Sequence, residues 1–310
     1  MTREECIQFT NKAGVVLRGI LHHHNSQNHR GLSVICLNTG LNDMVGWHRI
    51  QVKMARYLAG GGYNVLRFDD SGLGDSDGEI NEESIVKIFA EIERGLFVEN
   101  ADSAVEFMAD RFRGDLLVYL GLCGGGLTAL HSAARNKRLA GLIDVGGPVT
   151  LSSREYLEKK DPWEVQKNVK RYRSKLFDPG AWWRFFSGKG EYSTALKSAV
   201  FYLKHRFRGA YKAYSPEESE DPRVASLNRE FFHSFEACAR RKVPMLFYFA
   251  ETDSATWEFK KYFFEKYKGR ELWLSGNNTF IEVEKANHIF SDQTSQERLK
   301  QDVSRWLESL

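Results

Sequence analysis

Six short apolar, β-branched runs recur along the chain with helical patterns between them, and this alternation restricts the fold more than any other feature. The runs are LSVICLNT (32–39), NVLRFDD (64–70), LLVYLGL (116–122), AGLIDVGG (140–147), PMLFYFAE (244–251) and FIEVEKA (280–286). Continuous apolar strands separated by helices are what a mainly parallel sheet buried on both faces requires. The intervening helical stretches are HRIQVKMARYLAGGG, a long one within 82–112, GGGLTALHSAARN, TWEFKKYFFEKY and SQERLKQDVSRWLESL. Ahead of them, CIQFT and VVLRGILHHH flank the turn NKAG, which predicts an N-terminal antiparallel hairpin. The fold class is therefore α/β: a hairpin followed by repeated βα units.

One interval breaks the rhythm. Residues 150–235 hold no convincing core strand; the segment from REYLEKKDPW to FRGAYKAY reads as helical, aromatic and basic. An insertion that leaves one βα unit and returns to the next predicts a helical lid, with the core formed by 1–149 and 236–310.

Charge and cysteine usage exclude some classes. Lys and Arg number 44 against 41 Asp and Glu, a net charge of +3, so the whole chain has no electrostatic footprint for nucleic acid. The charged start MTREECIQFT lacks the apolar stretch of a secretory signal, and no run reaches the roughly 18 apolar residues of a membrane span. A soluble, cytoplasmic protein is expected. Cys6, Cys36, Cys123 and Cys238 lack C-x-x-C spacing, which argues against a zinc site or a disulfide framework. The triplet His22-His23-His24 has no carboxylate or cysteine pattern beside it, so neither a metal nor a cofactor is expected.

The stretch LGLCGGGLTAL (120–130) carries the chemistry. A strand running into a helix through a small-x-nucleophile-x-small turn exposes the nucleophile at the sheet edge, and Gly121-Leu122-Cys123-Gly124-Gly125 has that spacing with cysteine at its centre. The helix N-terminus and a nearby imidazole both favour thiolate over thiol. The alternative, a small buried hydrophobe, fits Cys36, Cys6 and Cys238 better. The base should follow the acid near the C-terminus, and His288 in EKANHIFSD lies between the last predicted strand and the last helix; His48 and His131 fall inside predicted helices. The acid is Asp253 in FAETDSATWEF, with Glu251 the rival and a plain helix N-cap the alternative role. Oxyanion donors are the N–H groups of Gly124 and of Leu41 in LNTGLND; Asn42 is a weaker candidate and a substrate contact. RFDDSGLGDSDG lacks the spacing of a calcium loop and reads as a tight turn after a strand.

Taken in order, LNTGLND, RFDDSGLGDSDG, GLCGGG, the ETD loop and ANHIFSD resemble the α/β-hydrolase superfamily over nearly the whole chain. The chain is most similar to the exosortase-associated hydrolases, which also have G-L-C at the elbow, an aromatic-basic stretch like AWWRFFSG (181–188), and motifs like TDSATWEF and NHIFS. They usually carry an acidic residue where Gly124 stands. Gly121, Cys123, Gly125 and Gly126 also match the G-x-C-x-G-G box of polyhydroxyalkanoate synthases, and dienelactone hydrolases use cysteine on this fold.

A cysteine nucleophile favours thioesters and activated esters over peptides. Between residues 154 and 212 the insertion holds 15 Lys/Arg and 6 Asp/Glu, interleaved with aromatics that include Trp182, Trp183 and Phe186, the candidate substrate contacts. Such a surface suits a small-molecule or carrier-bound acyl substrate, presented by an acyl-carrier protein or as a coenzyme A thioester, or peripheral membrane contact. It equally suits lid helices with a buried aromatic face and a solvated charged one. The expected activity is an acyl hydrolase, esterase or thioesterase; the alternatives are an acyltransferase or cyclase and a non-catalytic binding protein.

Overall fold

A computed structural model describes residues 3–24, 29–80, 85–152 and 224–310. Eight strands form one sheet: β1 (Glu4–Thr10), β2 (Val16–His22), β3 (Leu32–Leu37), β4 (Asn64–Phe68), β5 (Leu116–Leu122), β6 (Leu139–Val145), β7 (Met245–Ala250) and β8 (Thr279–Val283). Their spatial order is β1-β2-β4-β3-β5-β6-β7-β8. β1, β2 and β4 pair antiparallel, so the expected hairpin joins the sheet edge, and β4, β3, β5, β6, β7 and β8 are parallel.

Strand alternation divides the buried side chains between two layers. One layer takes Ile35, Leu37, Tyr119, Phe247 and Phe249; the other takes Val34, Cys36, Val118, Leu120 and Tyr248. Helices α1 (Ile50–Gly60) and α8 (Gln293–Leu307) cover the second layer through Met54, Leu58, Leu299 and Val303. The first is covered by α3 (Val98–Arg111), α4 (Gly124–Arg135) and α5 (Arg229–Arg240), with an aromatic group that includes Phe235, Phe259, Phe263 and Trp273. Truncating one of these buried phenylalanines to alanine would cost about 3–5 kcal/mol, enough to threaten a domain of ordinary stability.

Several helical expectations need correction. The single helix expected within 82–112 is two, α2 (Ile85–Arg94) and α3, parted at Gly95, whose φ of 108° only glycine adopts without strain. His48 is not helical in the expected sense: Trp47–Arg49 form one tight turn with His48 and Arg49 left-handed, and α1 starts at Ile50. The stretch 256–267 is α6 (Ser254–Glu258), a π-helical turn (Phe259–Phe264) and a last turn (Glu265–Tyr267). A further short helix, α7 (Glu271–Ser275), precedes β8.

Apart from 150–152 and 224–235, the insertion expected at 150–235 lies outside the described residues. Its two ends meet as a short antiparallel stem: Leu151 N–H donates to Ser226 O at 2.7 Å and Asn228 N–H to Val149 O at 2.9 Å. α5 straddles residue 235, and its Phe231, Phe235 and Cys238 are buried in the core. Glu93 of α2 ties down one end of this stem, its carboxylate accepting from both the backbone N–H (2.6 Å) and the hydroxyl (2.7 Å) of Ser152. No helix among the described residues is long and apolar enough to cross a membrane.

Candidate active site

β3 has β4 on one side and β5 on the other, so the chain leaves β3 in one direction for β4 and then crosses to the far side for β5. The loops after β3 and β5 consequently part at the carboxyl edge of the sheet, the place where open α/β sheets form a crevice. The loop after β5 is the Gly121–Gly125 turn. Cys123 lies between β5 and α4 with φ 53° and ψ −119°, a conformation that costs about 1–3 kcal/mol for a residue with a side chain. Its N–H donates to Val145 O at 2.8 Å, which ties the turn to β6. Close approach explains the surrounding glycines: a Cβ on Gly121 would sit 2.1 Å from Gly125 O, and one on Gly125 would sit 2.4 Å from Asn38 O.

His288 follows β8, and its side chain lies close enough to the half-buried Cys123 for the thiol to raise its pKa. Its Nδ1–H donates to Asp253 Oδ2 at 2.6 Å. Burial pulls the imidazole pKa down, but the hydrogen bonds and charges of Asp253 and Cys123 outweigh it and raise it to about 10. Asp253 does cap α6, accepting from Ala255 N–H at 3.1 Å through Oδ1, so one carboxylate serves as cap and as histidine partner. Thr256 donates its hydroxyl to Ala250 O. The rival acid Glu251 points elsewhere: its Oε2 accepts from Lys285 N–H at 2.9 Å. Thr252 adds a second tie to the histidine loop, donating both N–H (3.1 Å) and hydroxyl (2.7 Å) to Ala286 O.

Gly40, at φ 59°, turns the loop after β3 toward Cys123, and a Cβ on Gly124 would lie 3.2 Å from Gly40 Cα. The same Cβ would lie 2.9 Å from Ile92 of α2, a packing reason for glycine at this position. Among the described residues neither Leu41 N–H nor Gly124 N–H has an acceptor. The Asn42 side-chain amide donates to Thr39 O at 2.7 Å. Trp182, Trp183 and Phe186 lie outside the described residues.

Three neighbours of the site escaped sequence reasoning. Trp47 packs on His288, with ring centroids 5.7 Å apart. Gly146 brings the backbone after β6 against the pair: a Cβ there would be 3.6 Å from His288 Nδ1 and 3.8 Å from Asp253 Oδ2. Asp144, fully buried just before it, accepts from Gly147 N–H through Oδ1 at 2.9 Å while Oδ2 has no partner among the described residues. Burial raises its pKa to about 7, against the Gly147 hydrogen bond. An adjoining apolar wall is formed by Ile88, Ile92 and Phe97, with Leu41 and Phe89 packed on it.

The other polar motifs build structure. Asp69 of the tight turn accepts from Met44 N–H (2.6 Å) and Asp75 N–H (3.0 Å), while Asp70 is buried on Asn100. His22 is buried against Arg67, and His23 bonds Glu5. Among the described residues no three His, Cys, Asp or Glu are grouped to hold a metal ion.

The sequence profile of a hydrolase family described as serine aminopeptidase, S33, matches residues 29–269. Among solved structures, the Pyrococcus furiosus esterase Pf2001 is 16% identical with a TM-score of 0.59, covering 99% of this chain and 93% of that one. Dienelactone hydrolase from Anabaena variabilis is 13% identical, with a TM-score of 0.57 over 99% and 98% of the two chains. XC6422 from Xanthomonas campestris, an α/β serine hydrolase without lid, is 12% identical, with a TM-score of 0.53 over 98% and 95%. At these identities the likeness is one of α/β-hydrolase fold. A search of curated protein sequences returned no match.

Proposed function

Because the chain belongs to the serine aminopeptidase S33 family of hydrolases, we propose that it is an acyl hydrolase that works through cysteine, with Cys123, His288 and Asp253 as nucleophile, base and orienting acid. The observation that carries this reading is the His288–Asp253 hydrogen bond set beside Cys123, which stands at a strained strand-to-helix turn.

The reaction follows from the positions of the groups. The Cys123 thiolate attacks the acyl carbon, and the carbonyl π electrons move to oxygen. That oxyanion is stabilised by the N–H groups of Gly124 and Leu41, which have no other acceptor among the described residues. Collapse expels the leaving thiolate or alkoxide, which takes the Nε2 proton of His288. Water then attacks the acyl-cysteine with His288 as base, releasing the acid and restoring the thiolate–imidazolium pair. Asp253 holds Nδ1–H throughout and so keeps Nε2 directed at sulfur and water.

Thioesters and activated esters are the favoured substrate class. Exchange of one thioester for another is nearly isoenergetic, whereas an amide must expel a far poorer leaving group. The basic, aromatic sequence between 154 and 212 favours delivery by an acyl-carrier protein or coenzyme A, and the G-L-C elbow favours the exosortase-associated group within the family. Four free cysteines fit a reducing, cytoplasmic setting.

Intact mass after incubation with a panel of acyl thioesters and p-nitrophenyl esters tests the reading. An acyl adduct on Cys123 that builds up in His288→Ala is expected; full activity in Cys123→Ala with no adduct overturns it. Product analysis with alcohol and amine acceptors separates hydrolysis from transfer, since free acid alone excludes an acyltransferase or cyclase.

A further inference from the structure

Trp47 is placed by an unusual piece of backbone. Gly46, His48 and Arg49 have φ of 68°, 51° and 58°, so three residues around one tryptophan adopt left-handed conformations and two of them are not glycine. Runs of this kind are disfavoured for L-residues and persist where the surroundings hold them, often beside functional groups. Nor is Trp47 a core residue: it is half-buried and belongs to none of the three apolar clusters. Among the described residues its one ring contact is His288, at 5.7 Å between centroids and 60° between planes.

Every element around His288 supplies a recognisable group. The elbow brings the Cys123 sulfur, the loop after β7 brings the Asp253 carboxylate, the end of β6 brings the backbone of Gly146, and the loop after β3 brings Trp47. The two ionisable partners are both anionic when ionised, and Asp253 fixes the ring through Nδ1. An indole within about 6 Å attracts a cation through its quadrupole, and tryptophan does so best among the aromatic side chains.

We infer that Trp47 is a positioning residue for the reaction: its indole holds the imidazolium form of His288 between Cys123 and Asp253, and the strained turn Gly46–Arg49 exists to present it. This rests on the reading of Cys123 and His288 as nucleophile and base. The imidazolium is the form that protonates the leaving group, so the indole favours the state that must persist while acyl-cysteine forms. It touches His288 rather than the reacting atoms.

The test is an NMR titration of the full-length protein with labelled histidine, the His288 signal being identified by its loss in His288→Gln. In the wild-type protein the His288 midpoint should lie well above the ordinary histidine value. In Trp47→Leu it should fall by about half to one pH unit, the change expected from losing a partly desolvated cation–π contact. Trp47→Phe, with a weaker quadrupole, should fall between. A raised wild-type midpoint that Trp47→Leu leaves unmoved overturns the role of Trp47 and leaves the Cys123–His288 pair standing. A wild-type midpoint in the ordinary range removes the pair and the role of Trp47 together. If Trp47→Leu does not fold, biosynthetic fluorotryptophans drain the ring quadrupole at nearly constant shape: the midpoint should fall with each added fluorine, and a constant midpoint overturns the inference.

Discussion

Cys123 and Cys36 lie at the carboxyl edge and in the body of the same sheet, and they differ in everything except composition. Cys36, within β3, is 1% exposed and packed among Val34, Met54 and Leu120; burial drives its thiol up to about 12, against the charge of Arg67. Cys238 in α5 is similar, raised to about 12 by burial with Arg241 acting against it. Cys123 is half-buried, heads a helix and faces an imidazole. Burial favours the neutral thiol, whereas a helix N-terminus and a neighbouring imidazole favour thiolate; residue type alone carries neither property.

Removing each thiol is the largest way to break the comparison. Cys123→Ala should lower turnover of an activated ester by at least about 10³-fold. Cys36→Ala should leave kcat within about twofold and instead cost stability, about 1 kcal/mol by urea denaturation. Next in size is Asp253, the proposed orienting acid. Asp253→Asn should lower kcat by about 10²-fold or more, because the imidazole loses the acceptor that fixes its tautomer. Were Glu251→Gln the damaging variant and Asp253→Asn harmless, the acid would have to be reassigned.

A smaller effect, but one that addresses all the thiols at once, is alkylation. With iodoacetamide at pH 7 and peptide mapping, Cys123 should react at least about tenfold faster than Cys36 or Cys238, with exposed Cys6 as the internal reference. The smallest effect extends the comparison from buried thiols to buried carboxyls. Burial raises Asp70 to about 8, opposed by its Asn100 hydrogen bond, and Glu93 to about 7, opposed by Ser152. A carboxyl whose folded pKa exceeds its unfolded value contributes stability that is complete below the unfolded pKa and lost as pH rises through the folded one. His288, raised to about 10, adds a loss between its unfolded value and that pH. Urea midpoints should therefore decline from pH 5 to pH 9, and Asp70→Asn, which keeps an oxygen for Asn100, should flatten the slope by about 1 kcal/mol. A midpoint that rises across this range would contradict the burial argument.

How much was legible follows from the range of the interactions. The strands could be read because each carries its own apolar pattern, and the turn at Cys123 because glycines, strand and helix are contiguous in sequence. Asp253 and Glu251 are two residues apart and chemically alike. What separates them is that one meets His288 and the other Lys285 N–H, 34 residues further on. The break at Gly95 was hidden by flanking helix formers, and α5 by an aromatic, charged segment that reads like the insertion before it. Trp47 and Asp144 had no local signal at all, since their significance lies in what the fold brings beside them.

The paired stem at 149–152 and 224–228 has one more consequence. Because the chain departs and returns through adjacent, mutually hydrogen-bonded backbone, the sheet registers only where those two ends sit and is indifferent to how many residues lie between them. Changes in chain length between residues 152 and 224 should therefore leave the register of the sheet unaltered.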